Sequence, residues 1–119
     1  MPRRSLGSDR RVTSKQLGLS PHDLEKVEVP TARLDDLVSK YAFEDFEFLQ
    51  IDTEGHDWHV LQTLDLSRVR PLIIQFEHGH LRPKDLGRAV AHLNSHGYLV
   101  YYGGHQSDTL ALRSDVCEA

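Results

Sequence analysis

The stretch Phe46-Glu47-Phe48-Leu49-Gln50-Ile51, followed by Asp52-Thr53-Glu54-Gly55, decides the fold of this chain. The first part is rich in aromatic and branched apolar residues, which are typical of a buried β-strand. The second part is polar and can turn the chain and begin a helix. Trp58, Leu61 and Leu64 then recur at helical spacing. The pattern predicts a strand over 46–51 and a helix from about Gly55 to Leu64.

A second strand is predicted after this helix. The run Leu72-Ile73-Ile74-Gln75-Phe76 begins after Pro71 and is apolar on both faces, as expected of a parallel strand covered by helices on each side. A strand, a helix and a second buried strand form a βαβ unit, the building block of a parallel sheet. The predicted fold class is therefore α/β.

The same pattern repeats further along the chain. Pro83 suits the first turn of a helix, and Gly97 suits the position just after its end. Tyr98-Leu99-Val100-Tyr101-Tyr102 is predicted as a third buried strand. Thr109-Leu110-Ala111-Leu112 is predicted as a short final strand, with an antiparallel orientation as one option.

The chain before residue 27 is polar and weakly periodic, so we predict a loosely structured segment over 1–26 and one α/β domain over 27–119. Val27-Glu28-Val29 alternates like a short strand, which Pro30 ends. Thr31 is then predicted as the N-cap of a helix that runs to about Lys40.

Length, charge and cysteine content limit the classes of protein to which this chain can belong. A length of 119 residues leaves room for one domain. A net charge of −4 argues against nucleic acid as a partner. Cys117 is the single cysteine, which excludes an internal disulfide and suits a reducing compartment. Because neither a membrane span nor a signal peptide is recognisable, we predict a soluble, cytoplasmic protein with no membrane partner.

Reactive side chains gather where the predicted strands end. In open α/β sheets, ligands bind outside the carboxyl ends of the strands, so this edge is the predicted site. The residues that follow the three strands are, in order, Asp52, Glu54 and His56, then Glu77, His78 and His80, and then Gly103, Gly104 and His105.

Some of these residues also have a purely structural interpretation. Asp52 and Glu54 are able to cap the helix that follows them and to interact favourably with its dipole. His56 and His59 lie three residues apart and are able to face one ligand, although an exposed pair on a first helical turn is more often solvated. The sequence alone leaves both interpretations open.

Metal binding is a further possibility that the sequence raises. His92 and His96 have a metal-compatible spacing of four. They lack an acidic partner between them and lie far from the predicted site, so we assign no metal ligands there. A metal-assisted hydrolase remains an alternative function, because carboxylates and imidazoles suit divalent ions. Its ligands would be Asp52, Glu77, His78 and His80.

Four blocks of this sequence resemble the FkbM-type methyltransferases. Phe48 to Asp57, followed by Val60-Leu61, is similar to the family's "K-I-D-V-E-G-x-E-x-x-V-L" signature, with Gln50 in place of the usual Lys and Asp57 as the second acid. Val29 to Leu37 resembles the "V-x-x-x-x-L-D-D-L" segment. Arg70 to His78 resembles the "R-P-x-x-I-x-x-E" strand, and Leu93 to Tyr98 resembles the "L-x-x-x-G-Y" close. The blocks occur in the family's order, from about Val27 onward.

The resemblance implies a doubly wound sheet of seven strands and S-adenosylmethionine as the cofactor. It implies methyl transfer, most often to an oxygen of a small molecule or sugar. Such a transfer needs a general base, and histidine suits that role near neutral pH. On their positions we predict catalytic roles for His78 or His56 as the base and for Asp52. Substrate-binding roles are predicted for Glu54, Glu77 and His80.

The resemblance covers only the second half of the family's domain. The family holds its cofactor on a glycine-rich turn after its first strand, and this sequence has no G-x-G turn. Its glycines are Gly7, Gly18, Gly55, Gly79, Gly87, Gly97, Gly103 and Gly104. The first three strands are also missing, so the strand at 46–51 would expose an apolar edge, which is a known association hazard.

Three outcomes are compatible with that exposed edge. The chain is a truncated product that folds poorly, or it pairs through the edge with itself or with a separate chain, or its N-terminal residues fold over the gap. A non-catalytic half-domain that acts as an interaction module is therefore the main alternative to a methyltransferase.

Overall fold

The structure is a computed structural model that describes residues 4–5, 18, 20–102 and 108–116. The predicted site residues Gly103, Gly104 and His105, and also Cys117, lie outside the described residues. The chain divides into two compact units, residues 1–32 and residues 33–119. The sequence-based division lay six residues earlier, after residue 26.

In the described residues of the first unit, regular structure is limited to a pair of short strands and one turn. Strand β1 (Arg4–Ser5) pairs with strand β2 (Val29–Pro30) in an antiparallel ladder. A single 3₁₀ turn covers Pro21–Asp23. The backbone amide and the hydroxyl of Ser20 both donate to the Asp23 carboxylate, at 2.8 and 2.9 Å. These hydrogen bonds lower the pKa of Asp23 and close the turn.

The second unit is built on a four-stranded mixed sheet in the order β3-β4-β6-β5. Strands β3 and β4 run parallel, and β6 runs antiparallel to both β4 and β5. The α/β class and the antiparallel option for the last strand are thereby confirmed. In chain order the elements are α1 (Leu34–Lys40), β3 (Phe48–Ile51), α2 (Asp57–Leu61), β4 (Ile73–Glu77), α3 (Pro83–Ser95), β5 (Tyr98–Tyr102) and β6 (Asp108–Arg113).

Helix α1 does not begin where the sequence predicted. Thr31 is not its N-cap, which is Arg33 instead, and Arg33 makes no side-chain cap hydrogen bond. The first amides of the helix find a distant partner. The amide of Leu34 donates to the Thr63 hydroxyl at 3.0 Å, and the amide of Asp35 donates to the Thr63 carbonyl at 3.2 Å. A tertiary contact thus replaces the local cap.

Helix α2 is shorter at both ends than the predicted 55–64. At its start, Glu54 and Gly55 adopt positive φ angles of 54° and 104°, which a right-handed helix does not allow. At its end, the amides of Thr63 and Leu64 bond to carbonyls three residues back, at 3.0 and 3.1 Å. This tighter turn ends the helix and presents Thr63 to α1.

Helix α3 follows the sequence prediction closely. Pro83 lies in its first turn, and Gly97 follows its end with a φ of 82°. Buried Asp85 accepts hydrogen bonds from Arg82 and Arg88 at 3.0 and 3.5 Å. Within the described parts of the chain, none of the helices has the length and apolar character needed to cross a membrane. The cytoplasmic location stays a prediction.

The sheet buries only one of its two faces. Side chains alternate between the faces of a strand, and Ile74 and Phe76 of β4 are buried, whereas Ile73 and Gln75 between them are partly exposed. The prediction that both faces are covered is therefore wrong for this strand. The opposite face, which we call the open face, carries partly or fully exposed apolar side chains. These are Phe48, Ile73, Leu99, Tyr101, Leu110 and Leu112.

Strand β5 is not the buried strand that its sequence predicted. It lies at the edge of the sheet, paired only with β6 among the described strands. Tyr98 is buried, but Leu99, Tyr101 and Tyr102 are 42%, 49% and 56% exposed. Apolar composition alone does not separate an edge strand from a central one, because both require β-forming side chains.

Candidate active site at the carboxyl ends of β3 and β4

The ends of β3 and β4 are joined by a buried carboxylate. Asp57, the first residue of α2, is fully buried. One of its oxygens accepts hydrogen bonds from the amide of Thr53, at 3.0 Å, and from the Thr53 hydroxyl. The other accepts from the amide of Glu77 at 2.9 Å. A single side chain therefore fixes the loop after β3, the start of α2 and the end of β4.

The loop after β3 approaches the turn after β4 closely. A Cβ atom on Gly55 would lie 3.1 Å from the carbonyl oxygen of His80, and the φ of 104° is unfavourable for other residues. Glu54, beside it, adopts a left-handed φ of 54° although it is not glycine. Backbone strain of this kind concentrates at functional sites. Glycine at position 55 is thus what lets the two loops meet.

This contact brings together several of the residues predicted for the site. Nδ1 of His80 lies 3.1 Å from Oε2 of Glu54 and 3.5 Å from Oε1 of Glu77. One donor atom of each of the three side chains lies within 4.8 Å of the others. Glu77 is 19% exposed, whereas Glu54 and His80 are 64% and 54% exposed. We call these residues, together with the neighbouring Asp52, the rim cluster.

The rim cluster carries excess negative charge. Burial raises the pKa of the Glu77 carboxyl group. The nearby His80 opposes this rise, whereas the charges of Glu54 and Asp52, and a hydrogen bond with Asp52, add to it. Three carboxyl groups and one imidazole thus lie close together at the carboxyl ends of two parallel strands.

His78 lies apart from the contacts that define the rim cluster. Its Nδ1 is 2.7 Å from the buried hydroxyl of Thr109, and its ring packs edge to face on Tyr102 at 5.8 Å. Thr109 and Tyr102 are paired across β6 and β5, on the same face of the sheet as Phe76. Alternation along the chain sends Glu77 to the open face and His78 toward the other. The structure therefore groups His80, rather than His78, with Glu77.

His56 also contacts a different neighbour. It is the N-cap residue of α2, so neither Asp52 nor Glu54 occupies that position. Its ring lies 4.6 Å from the ring of His59, on the first turn of the helix. These contacts connect His56 with α2, and its predicted catalytic role stays a prediction.

The second histidine pair lies within the helix layer. His92 packs edge to face on Trp58 of α2 at 5.5 Å, and its ring is 4.6 Å from that of His96. Nε2 of His92 is buried and has no hydrogen-bond partner among the described residues. Burial, followed by the charge of His96, lowers the pKa of His92. In the parts of the chain that the structure describes, only Glu54, Glu77 and His80 form a group able to hold a metal ion.

Two residues that support the site were not singled out for it by the sequence. Asp57 entered only as the second acid of a motif, although its position four residues after Thr53 allows the contact seen here. Thr109 was assigned only to a strand. No local pattern reveals that it meets His78, because the two lie 31 positions apart.

An apolar groove lies along the edge of the sheet formed by β3. Its cavity volume is about 320 Å³. Phe43 and Phe48 in its wall are 48% and 50% exposed. We call this cavity the edge groove. It is lined by Leu34, Leu37, Val38, Phe43, Phe46, Phe48, Leu49 and Leu64.

Comparison with known proteins gives one match. Residues 4–100 match the domain family described as "Methyltransferase FkbM domain". The match begins at residue 4 and therefore also includes residues that precede Val29, where the first of the four motif blocks begins. Neither a curated protein nor a solved structure matches the chain.

Proposed function

The chain belongs to the FkbM methyltransferase family, and from this premise we propose that it takes part in S-adenosylmethionine-dependent methyl transfer to an oxygen of a small molecule or sugar. The observation that carries this proposal is the rim cluster. Acidic and imidazole side chains meet at the carboxyl ends of the parallel strands β3 and β4, where ligands of open α/β sheets bind.

The charge of the rim cluster suits the cofactor in part. S-adenosylmethionine supplies a methyl group on a positively charged sulfur, and the carboxylates of Asp52, Glu54 and Glu77 favour a cation nearby. The glycine-rich turn that cradles the cofactor in this family has no counterpart in the sequence. We therefore assign no nucleotide-binding residue to this chain and limit its part to orienting the acceptor and moving its proton.

His78 is the first candidate for the general base. Because its ring lies on the other side of β4 from Glu77, it would act on an acceptor that extends past the rim cluster. If its Nδ1 donates to Thr109 across the observed 2.7 Å, Nε2 carries the free lone pair and can take a proton from an acceptor hydroxyl. The contact with Tyr102 orients the ring further. His56 is the second candidate, because it lies at the start of α2 beside the same loop.

Replacement of the base tests this assignment. In an assembly that transfers methyl groups from labelled cofactor, His78→Ala is expected to lower the rate by about a hundredfold or more. His22→Ala, which alters an exposed histidine of the first unit, is the matched control and should leave the rate unchanged. An unchanged rate for His78→Ala together with a comparable loss for His56→Ala would move the role to His56.

We further propose that the edge groove receives the missing part of a doubly wound sheet. The occupant is a segment that adds a strand to β3 and carries a glycine-rich turn, supplied by further residues of the same protein or by a separate chain. An edge strand with apolar neighbours favours such an addition. A second copy of this chain would cover the groove without a G-x-G turn.

Two exposed aromatic residues provide a matched test of this docking. Phe48 on β3 and Tyr101 on β5 belong to the open face, and they are 50% and 49% exposed. The chain is mixed with a polypeptide that holds the first three strands of an FkbM methyltransferase domain, and the mass in solution is measured. Phe48→Lys should prevent the complex, whereas Tyr101→Lys should leave it intact. Equal effects of both substitutions would reject the groove as the docking site.

The same experiment evaluates the interaction module, which is the second candidate function. The edge groove is the observation that favours it, because exposed apolar patches mark protein contacts. A complex that forms through β3 and has no affinity for S-adenosylmethionine would support a non-catalytic role. The metal-assisted hydrolase stays a hypothesis, in which His78 would have to leave the contacts that it makes with Thr109 and Tyr102.

A further inference from the structure

We propose that Glu54, Glu77 and His80 form a binding site for one divalent first-row transition metal ion. The three side chains come from two loops that meet at the end of the parallel strands. Each offers one donor atom, and these atoms lie within 4.8 Å of one another. The site differs from the metal ligands that the sequence suggested, since it includes Glu54 and does not include Asp52 or His78.

The separations between the donor atoms suit a shared metal ion. With bonds of about 2.1 Å, neighbouring ligand atoms lie about 3.0 Å apart in an octahedral site and about 3.4 Å apart in a tetrahedral one. The His80 nitrogen lies 3.1 Å from Glu54 and 3.5 Å from Glu77. These two separations match neighbouring positions in a coordination polyhedron, and the third, between Glu54 and Glu77, is within 4.8 Å, so side-chain movements have to close only this last distance.

The types of donor decide which ion is expected. Carboxylate oxygens suit Mg²⁺, Ca²⁺ and Mn²⁺, whereas an imidazole nitrogen suits the transition metals. A site with two glutamates and one histidine combines both donor types, and Mn²⁺, a transition metal ion that suits carboxylates, is the probe used here. The charge of Asp52 beside Glu77 strengthens the attraction for a divalent cation.

Contacts of neighbouring residues hold the loops that carry the three ligands in place. Asp57 anchors the amides of Thr53 and Glu77, and Gly55 sets the distance between the two loops. Glu54 and His80 remain more than half exposed and accessible to an ion from solvent. Support by neighbouring hydrogen bonds is what fixes the orientation of metal ligands.

Titration of the full chain with Mn²⁺ alone tests the site, and it does not depend on the methyl-transfer proposal because no methyl transfer is measured. Calorimetry should give one ion per chain. Paramagnetic broadening of nuclear magnetic resonance signals should centre on residues 52–55 and 77–81. His80→Gln and Glu77→Gln should each weaken binding by about tenfold or more.

Two control variants make the same chemical changes elsewhere. His22→Gln removes an exposed histidine of the first unit, and Glu47→Gln removes an exposed carboxylate at the opposite end of the strand. Both should bind Mn²⁺ like the unmodified chain. The proposal is overturned if binding does not saturate, if the broadening centres elsewhere, or if the controls weaken binding as much as the ligand variants. A dispersed spectrum of each variant verifies its fold.

Discussion

The end of strand β3 and the lateral edge of the same strand are organised in opposite ways. At the end, polar groups bond to one another through Asp57, which accepts from both Thr53 and Glu77. Along the edge, the groove is apolar, and Phe43 and Phe48 remain about half exposed. The polar groups at the end of β3 find hydrogen-bond partners within this unit, whereas its edge exposes apolar surface that folded proteins usually cover.

This difference suggests different roles for the rim cluster and the edge groove. The rim cluster has the geometry of a ligand site before any partner is added, because its loops are fixed by hydrogen bonds inside the unit. The edge groove has the properties of an interface, since its aromatic side chains contribute apolar surface but are only partly buried. We therefore expect substitutions at the end of β3 to affect stability and substitutions at the edge to affect assembly.

The largest expected effect comes from removal of the buried carboxylate. Asp57→Ala leaves the amides of Thr53 and Glu77 without an acceptor in a buried site, and we expect the free energy of unfolding to fall by about 3 kcal/mol. Urea unfolding measures this change. Asp45→Ala, at an exposed position, should alter it by less than about 0.5 kcal/mol. Similar values for both would show that Asp57 does not organise the site.

A smaller loss of stability is expected when a substitution disturbs the close approach of the loops after β3 and β4. Gly55→Ala adds a Cβ 3.1 Å from the His80 carbonyl at a φ of 104°, which should cost about 1–3 kcal/mol. The added atom should also move His80 away from Glu54 and thereby weaken the proposed binding of Mn²⁺. A stability equal to that of the unmodified chain would contradict the contact between the loops.

A still smaller effect on stability is expected at the edge. Phe48→Thr shortens a half-exposed side chain and retains a residue that favours strands, so the free energy of unfolding should change by less than about 1 kcal/mol. Tyr101→Thr on β5 should change the free energy of unfolding by a similarly small amount. A loss of several kcal/mol at position 48 alone would mean that the groove is a core of this unit and not an interface.

The smallest expected effect is a dependence of stability on pH that arises from His92 in α3. Burial holds the pKa of His92 below its ordinary value of 6.5, so the unfolded chain binds a proton at higher pH than the folded chain. Stability should therefore fall as the pH drops below about 6.5. His92→Leu should remove part of this slope in urea midpoints between pH 7 and 5, while exposed His22→Leu should retain it. An identical slope in all three proteins would contradict the burial of His92.

Much of the fold could be predicted from periodicity and turn chemistry. The strand before Asp52, the entry of α3 at Pro83 and its end at Gly97 all depend on local patterns, which the structure retains. Features that depend on distant contacts could not be predicted. Thr63 caps α1 from a position 29 residues away, and the exposure of β5 depends on its place at the edge of the sheet.

The location of the candidate site could be predicted from the sequence, but the set of residues that come together there could be predicted only in part. The rule that ligands bind at the carboxyl ends of strands pointed to Glu54, Glu77 and His80, which the structure brings together. His78 was grouped with them because it follows Glu77 directly. Adjacent residues of an extended chain point to opposite faces of the sheet. The side chains of Glu77 and His78 therefore lie apart, although the two residues are neighbours in sequence.

Calorimetry tests most directly whether a segment docked in the edge groove completes the binding site for S-adenosylmethionine. S-adenosylmethionine is titrated calorimetrically into the chain alone and into its mixture with the first three strands of an FkbM methyltransferase domain. We expect binding only in the mixture, and its loss when the chain carries Phe48→Lys. Equal binding by the chain alone, or by the mixture with Phe48→Lys, would contradict this expectation.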